Sequence, residues 1–138
     1  MGAAPGPRWI VASAATVLSF LALDALWLST MSARLYQPTL GPLLAPQPDW
    51  AAAAAFYPLY LLGVVFFAVA PALRGGRARG AAARGALFGL VAYGTYDLTN
   101  QATLRGWSWS VTLADLAWGL SATALAASVG AVVARRRA

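Results

Sequence analysis

Four long apolar stretches dominate the sequence and constrain its fold more than any other feature. They cover residues 9–33, 50–73, 81–104 and 111–134. About 20 apolar residues cross the hydrocarbon core of a bilayer as a helix, so each stretch can span it with some tilt. Moreover, 60% of the 138 residues are hydrophobic and only 10% are charged, which is too apolar for a soluble domain of this size. The sequence therefore predicts an all-α fold, a single four-helix transmembrane bundle over residues 1–138.

The arginines predict the orientation of these helices. Two of the ten basic residues, Arg34 and Arg105, fall on one side of the predicted membrane and eight on the other. The eight are Arg8, Arg74, Arg77, Arg79, Arg84, Arg135, Arg136 and Arg137. Because cytoplasmic loops are enriched in basic residues, we expect the N-terminus and the C-terminus in the cytoplasm. The outer connections are then residues 34–49, which contain four prolines, and residues 105–110.

Composition limits the partners and the chemistry. The net charge of +6 does not indicate nucleic-acid binding, because the arginines lie between apolar stretches and not on one face. We expect membrane lipids, including anionic headgroups, as neighbours and no nucleic acid. Cysteine and histidine are both absent, which excludes disulfides, thiol nucleophiles and the usual ligands of zinc and haem. No metal and no cofactor is expected.

Acidic residues within the predicted helices indicate a functional site. Asp49 lies in a predicted loop, whereas Asp24, Asp97 and Asp115 lie inside apolar stretches. A carboxylate in the hydrocarbon core costs about 2.5 to 3.5 kcal/mol on insertion scales, so such residues usually face the interior of a bundle and mark function. With a rise of about 1.5 Å per residue, all three are predicted in the outer half of the bilayer. A shared polar pocket is expected there.

Aromatic and amide side chains in the same half complete the predicted pocket. In the third stretch, helical spacing places Tyr93, Asp97 and Asn100 on one face, and the inner part of that face carries Gly85 and Gly89. Such small residues let helices approach closely, either within the chain or in a homodimer. The predicted ligand-binding residues are Asp24, Trp27, Tyr57, Tyr60, Tyr93, Tyr96, Asp97, Asn100, Asp115 and Trp118.

The chain resembles a known family in the run Tyr-Asp-Leu-Thr-Asn at residues 96–100 and at positions along the other helices. The other positions are Leu23, Asp24, Trp27, Tyr36, Leu40, Gly41, Phe56, Tyr57, Tyr60, Gly63, Thr112, Asp115, Trp118 and Gly119. In these positions the chain resembles the bacterial membrane-protein family called domain of unknown function 2177, over nearly its whole length. The resemblance supports four helices and implies no activity. We expect a multi-pass protein of the bacterial inner (plasma) membrane.

Three kinds of function fit these residues. The favoured one is binding or transport of a small polar or cationic solute, with the aspartates as counter-charges and aromatic rings as walls. The second is a membrane enzyme that acts on a lipid or isoprenoid with an aspartate as general acid or base. The third is a structural or accessory subunit. In it, Asp97 and Asn100 form a hydrogen-bonded packing network between helices, and the negative charge of Asp115 stabilises the N-terminus of its helix. No particular ligand is indicated.

Overall fold

The computed structural model describes residues 6–136, which form four long helical segments and contain no β-strand. The first segment is α1 (Pro7–Met31), followed by a π-helical turn (Ser32–Tyr36), an α-helical turn (Gln37–Leu40) and a 3-10 turn (Gly41–Leu43). The second is α2 (Trp50–Val64), continued by a π-helical turn (Val65–Val69) and an α-helical turn (Ala70–Leu73). The third and fourth are the unbroken helices α3 (Ala78–Thr103) and α4 (Trp109–Arg136). The all-α prediction is confirmed.

Three of the four segments are long and apolar enough to cross a membrane. They are Pro7–Leu43 with 37 residues, Trp50–Leu73 with 24 and Trp109–Arg136 with 28. The helix α3 has 26 residues, but polar groups near both of its ends, including Arg84 and Asp97, interrupt its apolar run. Three of the four predicted spans are therefore confirmed as candidates, and α3 stays a prediction as the fourth.

The first helical segment is longer than expected. The sequence predicted a helix over residues 9–33 and a loop over 34–49, whereas the chain is helical as far as Leu43. The loop prediction is thus wrong for residues 34–43. Two of the four prolines in residues 34–49, Pro38 and Pro42, lie near the start of the α-helical turn and of the 3-10 turn. At both places the type of helix changes, from π-helical to α-helical before Pro38 and from α-helical to 3-10 before Pro42, so a proline interrupts the regular hydrogen-bond pattern less than it would within an α-helix.

The helix α4 is central to the packing. It contacts α3 most extensively and α1 next, and glycines allow both approaches. A Cβ atom added at Gly89 would overlap the backbone of Gly119, and one added at Gly130 would lie 2.8 Å from the carbonyl oxygen of Ala12. Gly85 and Gly89 are buried against α4 of the same chain. A homodimer, which stays a prediction, would therefore need a different surface.

The two ends of the bundle differ in composition and in packing. We call the end with Arg74 and Arg135 the arginine end, and the end with Trp50, Trp107 and Trp109 the tryptophan end. At the arginine end, Arg135 donates to the carbonyl oxygen of Ala72, near the end of the second segment, at 3.1 Å, and to the carbonyl oxygen of Gly76 in the following connection. Arg137, which contributes to the predicted charge bias, lies outside the described residues. The second segment is thereby joined firmly to α4 at the arginine end.

At the tryptophan end, α2 stands apart from the other helices. The second segment contacts α1, α3 and α4 chiefly through its last two turns, Val65–Val69 and Ala70–Leu73. From Trp50 to Leu59 every residue is exposed except Ala53 and Tyr57, which are half-buried. The bundle is therefore closed at the arginine end and open beside α2 at the tryptophan end.

Candidate functional site

A cavity of about 480 Å³ lies among the helical segments at the tryptophan end. Its walls are mostly aromatic, and two carboxyl groups belong to them. The lining residues are Asp24, Trp27, Leu28, Tyr36, Phe56, Tyr57, Tyr60, Ala92, Tyr93, Tyr96, Asp115 and Trp118. None of these described residues is an arginine, so no ion pair within the lining neutralises the carboxyl groups.

The carboxyl group of Asp24 joins α1 to α2. Asp24 is buried in α1, at 8% exposure, and its Oδ2 accepts a hydrogen bond from the hydroxyl group of Tyr57. Within the described chain, no side chain donates to the other oxygen, Oδ1. This hydrogen bond connects α2 to α1 in the part of α2 that otherwise stands apart. One carboxyl oxygen of Asp24 is left without a side-chain donor.

A chain of three side chains ends at the second carboxyl group. The indole Nε1 of Trp27 donates to the hydroxyl oxygen of Tyr36 at 2.8 Å, and that hydroxyl donates to Oδ1 of Asp115 in α4. Helical side chains lean toward the N-terminus of their helix, so Tyr36 reaches back from the tryptophan end toward the cavity. The π-helical turn that carries Tyr36 is a local widening of the kind often found at functional sites.

Sequence reasoning missed Tyr36 as a site residue because it placed residues 34–49 in a loop. The phenol of a loop tyrosine has no predictable direction, whereas one on a helical continuation of α1 does. The one signal available was that Tyr36 belongs to the positions that carry the family resemblance. Phe56, Leu28 and Ala92 were also missed as lining residues, since apolar side chains in a membrane helix are common on every face.

Aromatic contacts form one wall and the floor of the cavity. The rings of Trp27 and Trp118 are stacked, with 4.5 Å between centroids and 11° between planes. The Nε1 atom of Trp118 is buried and has no hydrogen-bond partner among the described residues. At the floor, the ring centroid of Tyr60 lies 6.1 Å from that of Tyr93, and the Tyr60 hydroxyl is 2.7 Å from Oγ1 of Thr123. The lining is thus mostly apolar and carries a few polar atoms, as is usual for sites that bind small molecules.

Two of the ten predicted site residues, Asp97 and Asn100, do not line this cavity; the other eight do. Asp97 is fully buried where α3 meets α4, beside Asp115, and neither of its carboxyl oxygens has a hydrogen-bond donor in the described chain. Asn100 lies about one turn farther along α3 and is half-buried. Nowhere in residues 6–136 do three acidic, histidine or cysteine side chains form a group that could hold a metal ion. The ligand-binding roles of all ten residues stay predictions.

The comparison with protein families agrees with the helices and with the resemblance found in the sequence. The family model described as "Predicted membrane protein", domain of unknown function 2177, matches residues 9–132. The chain belongs to this family. The match covers every cavity-lining residue and each of the three candidate spans in large part. No curated protein and no solved structure shows significant similarity to the chain.

Proposed function

We propose that this member of the family binds a small organic cation in the cavity at the tryptophan end. The observation that carries the proposal is the pair of buried carboxyl groups, Asp24 and Asp115, in an aromatic lining that contains no cationic side chain. Binding of a small polar solute and transport of the bound solute remain within this proposal. The enzymatic and the accessory functions have no comparable observation in their favour.

The charges support a cation as the occupant. A carboxylate removed from water is strongly disfavoured when it lacks a counter-charge. Asp24 and Asp115 each accept a tyrosine hydrogen bond on one oxygen, from Tyr57 and Tyr36, and a neutral donor compensates only part of the cost of burying a charge. A bound cation would supply the missing counter-charge to both groups.

The aromatic walls support an organic cation over a metal ion. The faces of tryptophan and tyrosine attract ammonium groups, with contributions from about 0.5 kcal/mol at exposed positions to about 2 kcal/mol where water is excluded. Mg²⁺ and Ca²⁺ require several oxygen ligands at once, and no three acidic side chains in the described residues form a group that could hold a metal ion. The cavity of about 480 Å³ also has the size of a site for a small organic molecule.

We also propose that α3 is the fourth span, that both termini are cytoplasmic, and that the protein resides in the bacterial inner (plasma) membrane. Burial of Asp97 and of the glycines of α3 against α4 supports the fourth span, because the polar and small face of this helix is turned away from lipid. The concentration of arginines at the arginine end supports the orientation. The cavity would then lie in the outer half of the bilayer.

Binding of tetramethylammonium to the full chain in phosphatidylcholine nanodiscs tests the proposed function. Because Trp27 and Trp118 belong to the wall, tryptophan fluorescence should change on binding. We expect Asp24→Asn and Asp115→Asn each to weaken binding at least about 10-fold, because the attraction between two unit charges about 5 Å apart is a few kcal/mol at an effective dielectric constant of about 20. Asp49→Asn is the matched control, because the exposed Asp49 caps the start of α2 and does not line the cavity. The affinity of this variant for tetramethylammonium should equal that of the unmodified protein.

Two results would contradict the proposal. One is equal affinity in Asp24→Asn, Asp115→Asn and Asp49→Asn, which would place the cation elsewhere. The other is the absence of any change in tryptophan fluorescence and in the free energy of unfolding at saturating concentrations of tetramethylammonium and of trimethylammonium ions with longer alkyl chains. Accumulation of a lipid precursor in a deletion strain would instead favour the enzymatic function.

A further inference from the structure

The cavity has an opening on the side of the bundle, between α2 and α3. Phe56 of α2 and Tyr96 of α3 both line the cavity, and they are 44% and 58% exposed. Among the described residues, the aromatic contacts of α2 with α3 begin at Tyr60, whose ring centroid lies 6.1 Å from that of Tyr93 and 5.5 Å from that of Phe88. We call this opening the lateral slot; Phe56 and Tyr96 are its walls, and Tyr60 and Tyr93 are its floor.

The lateral slot opens at a depth where the surroundings are acyl chains. Phe56 lies six residues after Trp50, the first residue of α2, and Tyr96 lies seven residues before Thr103, the last residue of α3. At about 1.5 Å per residue, both walls are about 10 Å from the tryptophan end. A hydrocarbon core is about 30 Å thick and tryptophans prefer its boundary, so the mouth of the slot lies below the headgroups.

The route from water into the cavity is obstructed by side chains that are bonded to one another. The segment after α1 brings Tyr36 in from the tryptophan end, and its hydroxyl is held between Trp27 and Asp115. Trp27 is in turn stacked on Trp118. A solute that arrives from water at this end meets these bonded side chains first. By contrast, no side-chain hydrogen bond in the described chain joins residues 50–59 to α3 across the lateral slot.

We infer that the ligand is a cationic amphiphile that enters from the membrane through the lateral slot. Its charged head binds at Asp24 and Asp115, and its alkyl chain lies between Phe56 and Tyr96. This inference rests on the proposed function and adds to it the class of ligand and the route. An anionic or zwitterionic headgroup does not fit, because its phosphate or sulfate would meet two carboxyl groups and no arginine in the described lining.

A series of ammonium ions that differ only in one alkyl chain tests the inference. The probes are tetramethylammonium, octyltrimethylammonium and dodecyltrimethylammonium, titrated into the full chain in phosphatidylcholine nanodiscs, with empty nanodiscs to measure partitioning. If the alkyl chain of the probe lies in the slot, the dissociation constant, expressed relative to free probe in water, should fall at least 100-fold from tetramethylammonium to dodecyltrimethylammonium. If the alkyl chain has to leave the membrane, that constant should not depend on the length of the alkyl chain.

Closing the slot provides the second measurement. The natural sequence has no cysteine, so a Phe56→Cys and Tyr96→Cys double variant can be bridged by a bifunctional thiosulfonate and released by a reductant. Bridging should abolish the dependence of the dissociation constant on the length of the alkyl chain, and reduction should restore that dependence. The control is the same double variant treated with a monofunctional thiosulfonate, which modifies both cysteines without joining them. The effect of closing the slot is the difference between the bridged and the monofunctionally modified protein.

The outcomes separate the inference from the proposed function. If tetramethylammonium binds and requires Asp24, but chain length or bridging has no effect, the lateral route is wrong and the proposed function stands. If none of the ammonium ions binds, both are wrong. Equal binding of dodecyl sulfate would overturn the cationic headgroup, and disulfide-linked dimers of the Phe56→Cys chain would place a second copy over the slot and overturn the amphiphile.

Discussion

Replacement of Gly89 by alanine should push α3 away from α4 and destabilise the bundle. Gly89 is buried, and an added Cβ atom would overlap the carbonyl oxygen of Gly119 and lie 2.7 Å from both the carbonyl carbon of Gly119 and Oγ1 of Thr123. Two of these three atoms belong to the backbone of a packed helix, which cannot move as the end of a flexible side chain can. The methyl group therefore fits only if the helices separate.

The expected magnitude follows from two opposing terms. Alanine favours a helix over glycine by about 0.8 to 1.0 kcal/mol, and overpacking of a tight contact costs about 1 to 3 kcal/mol or more. Because the contact at Gly89 is with backbone, we expect the upper part of that range and a net loss of about 1 to 2 kcal/mol in the free energy of unfolding. Gly94→Ala on the same helix is the matched control. The nearest atom to a Cβ added at Gly94 would be Cδ2 of Leu116 at 3.4 Å, an ordinary contact. The free energy of unfolding of Gly94→Ala should therefore increase by up to about 1 kcal/mol.

Equilibrium unfolding in mixed micelles with increasing dodecyl sulfate measures both variants, with far-UV circular dichroism as the signal. Gly89→Ala should unfold at lower detergent fraction than the unmodified chain, and Gly94→Ala at an equal or higher fraction. Equal stability of the two variants, or a more stable Gly89→Ala, would refute the close approach of α3 and α4 at Gly119.

Two further predictions concern Asp97 and the orientation. Asp97→Asn should raise the free energy of unfolding by about 1 to 3 kcal/mol, because the new amide can donate to Asp115 where the buried carboxyl group has no donor. The same unfolding titration measures this change, and the control Asp49→Asn, at an exposed position, should alter the free energy of unfolding by no more than about 0.5 kcal/mol. A less stable Asp97→Asn would contradict the prediction. Alkaline phosphatase fused after the C-terminus should be inactive, and fused within residues 44–48 it should be active. The reverse pattern would show the opposite orientation.

The sequence predicts the location of the candidate site well because polarity in lipid is expensive. Asp24 and Asp115, on helices far apart in the chain, line one cavity with the tyrosines of α2 and α3. Their shared depth followed from counting residues along each helix, and a carboxyl group at that depth has few places to point except inward. This reasoning needs no knowledge of which helices are neighbours.

Depth alone does not fix the direction of a side chain within the interior, as Asp97 shows. Successive helical residues are rotated by about 100°, so Asp97 is turned by only about 40° from Tyr93 and by about 100° from Tyr96. Tyr93 and Tyr96 line the cavity, whereas Asp97 lies in the contact with α4. The boundary between contact and cavity crosses α3 between these positions. It depends on how closely Gly89 and Gly119 let the two helices approach, which spacing cannot predict.

The separation of α2 from its neighbours at the tryptophan end has a similar cause. Residues 51–55 are five successive alanines, of which four are exposed and Ala53 is half-buried, so this part of α2 has no extensive contact with a neighbouring helix. In water, the exposed apolar surface would cost roughly 25 cal/mol for each Å² and would drive α2 onto α3. Lipid is as apolar as a protein interior, so that driving force is absent and only specific packing draws helices together. An open lateral slot is therefore inexpensive in a membrane, and a bound alkyl chain would replace the lipid that fills it.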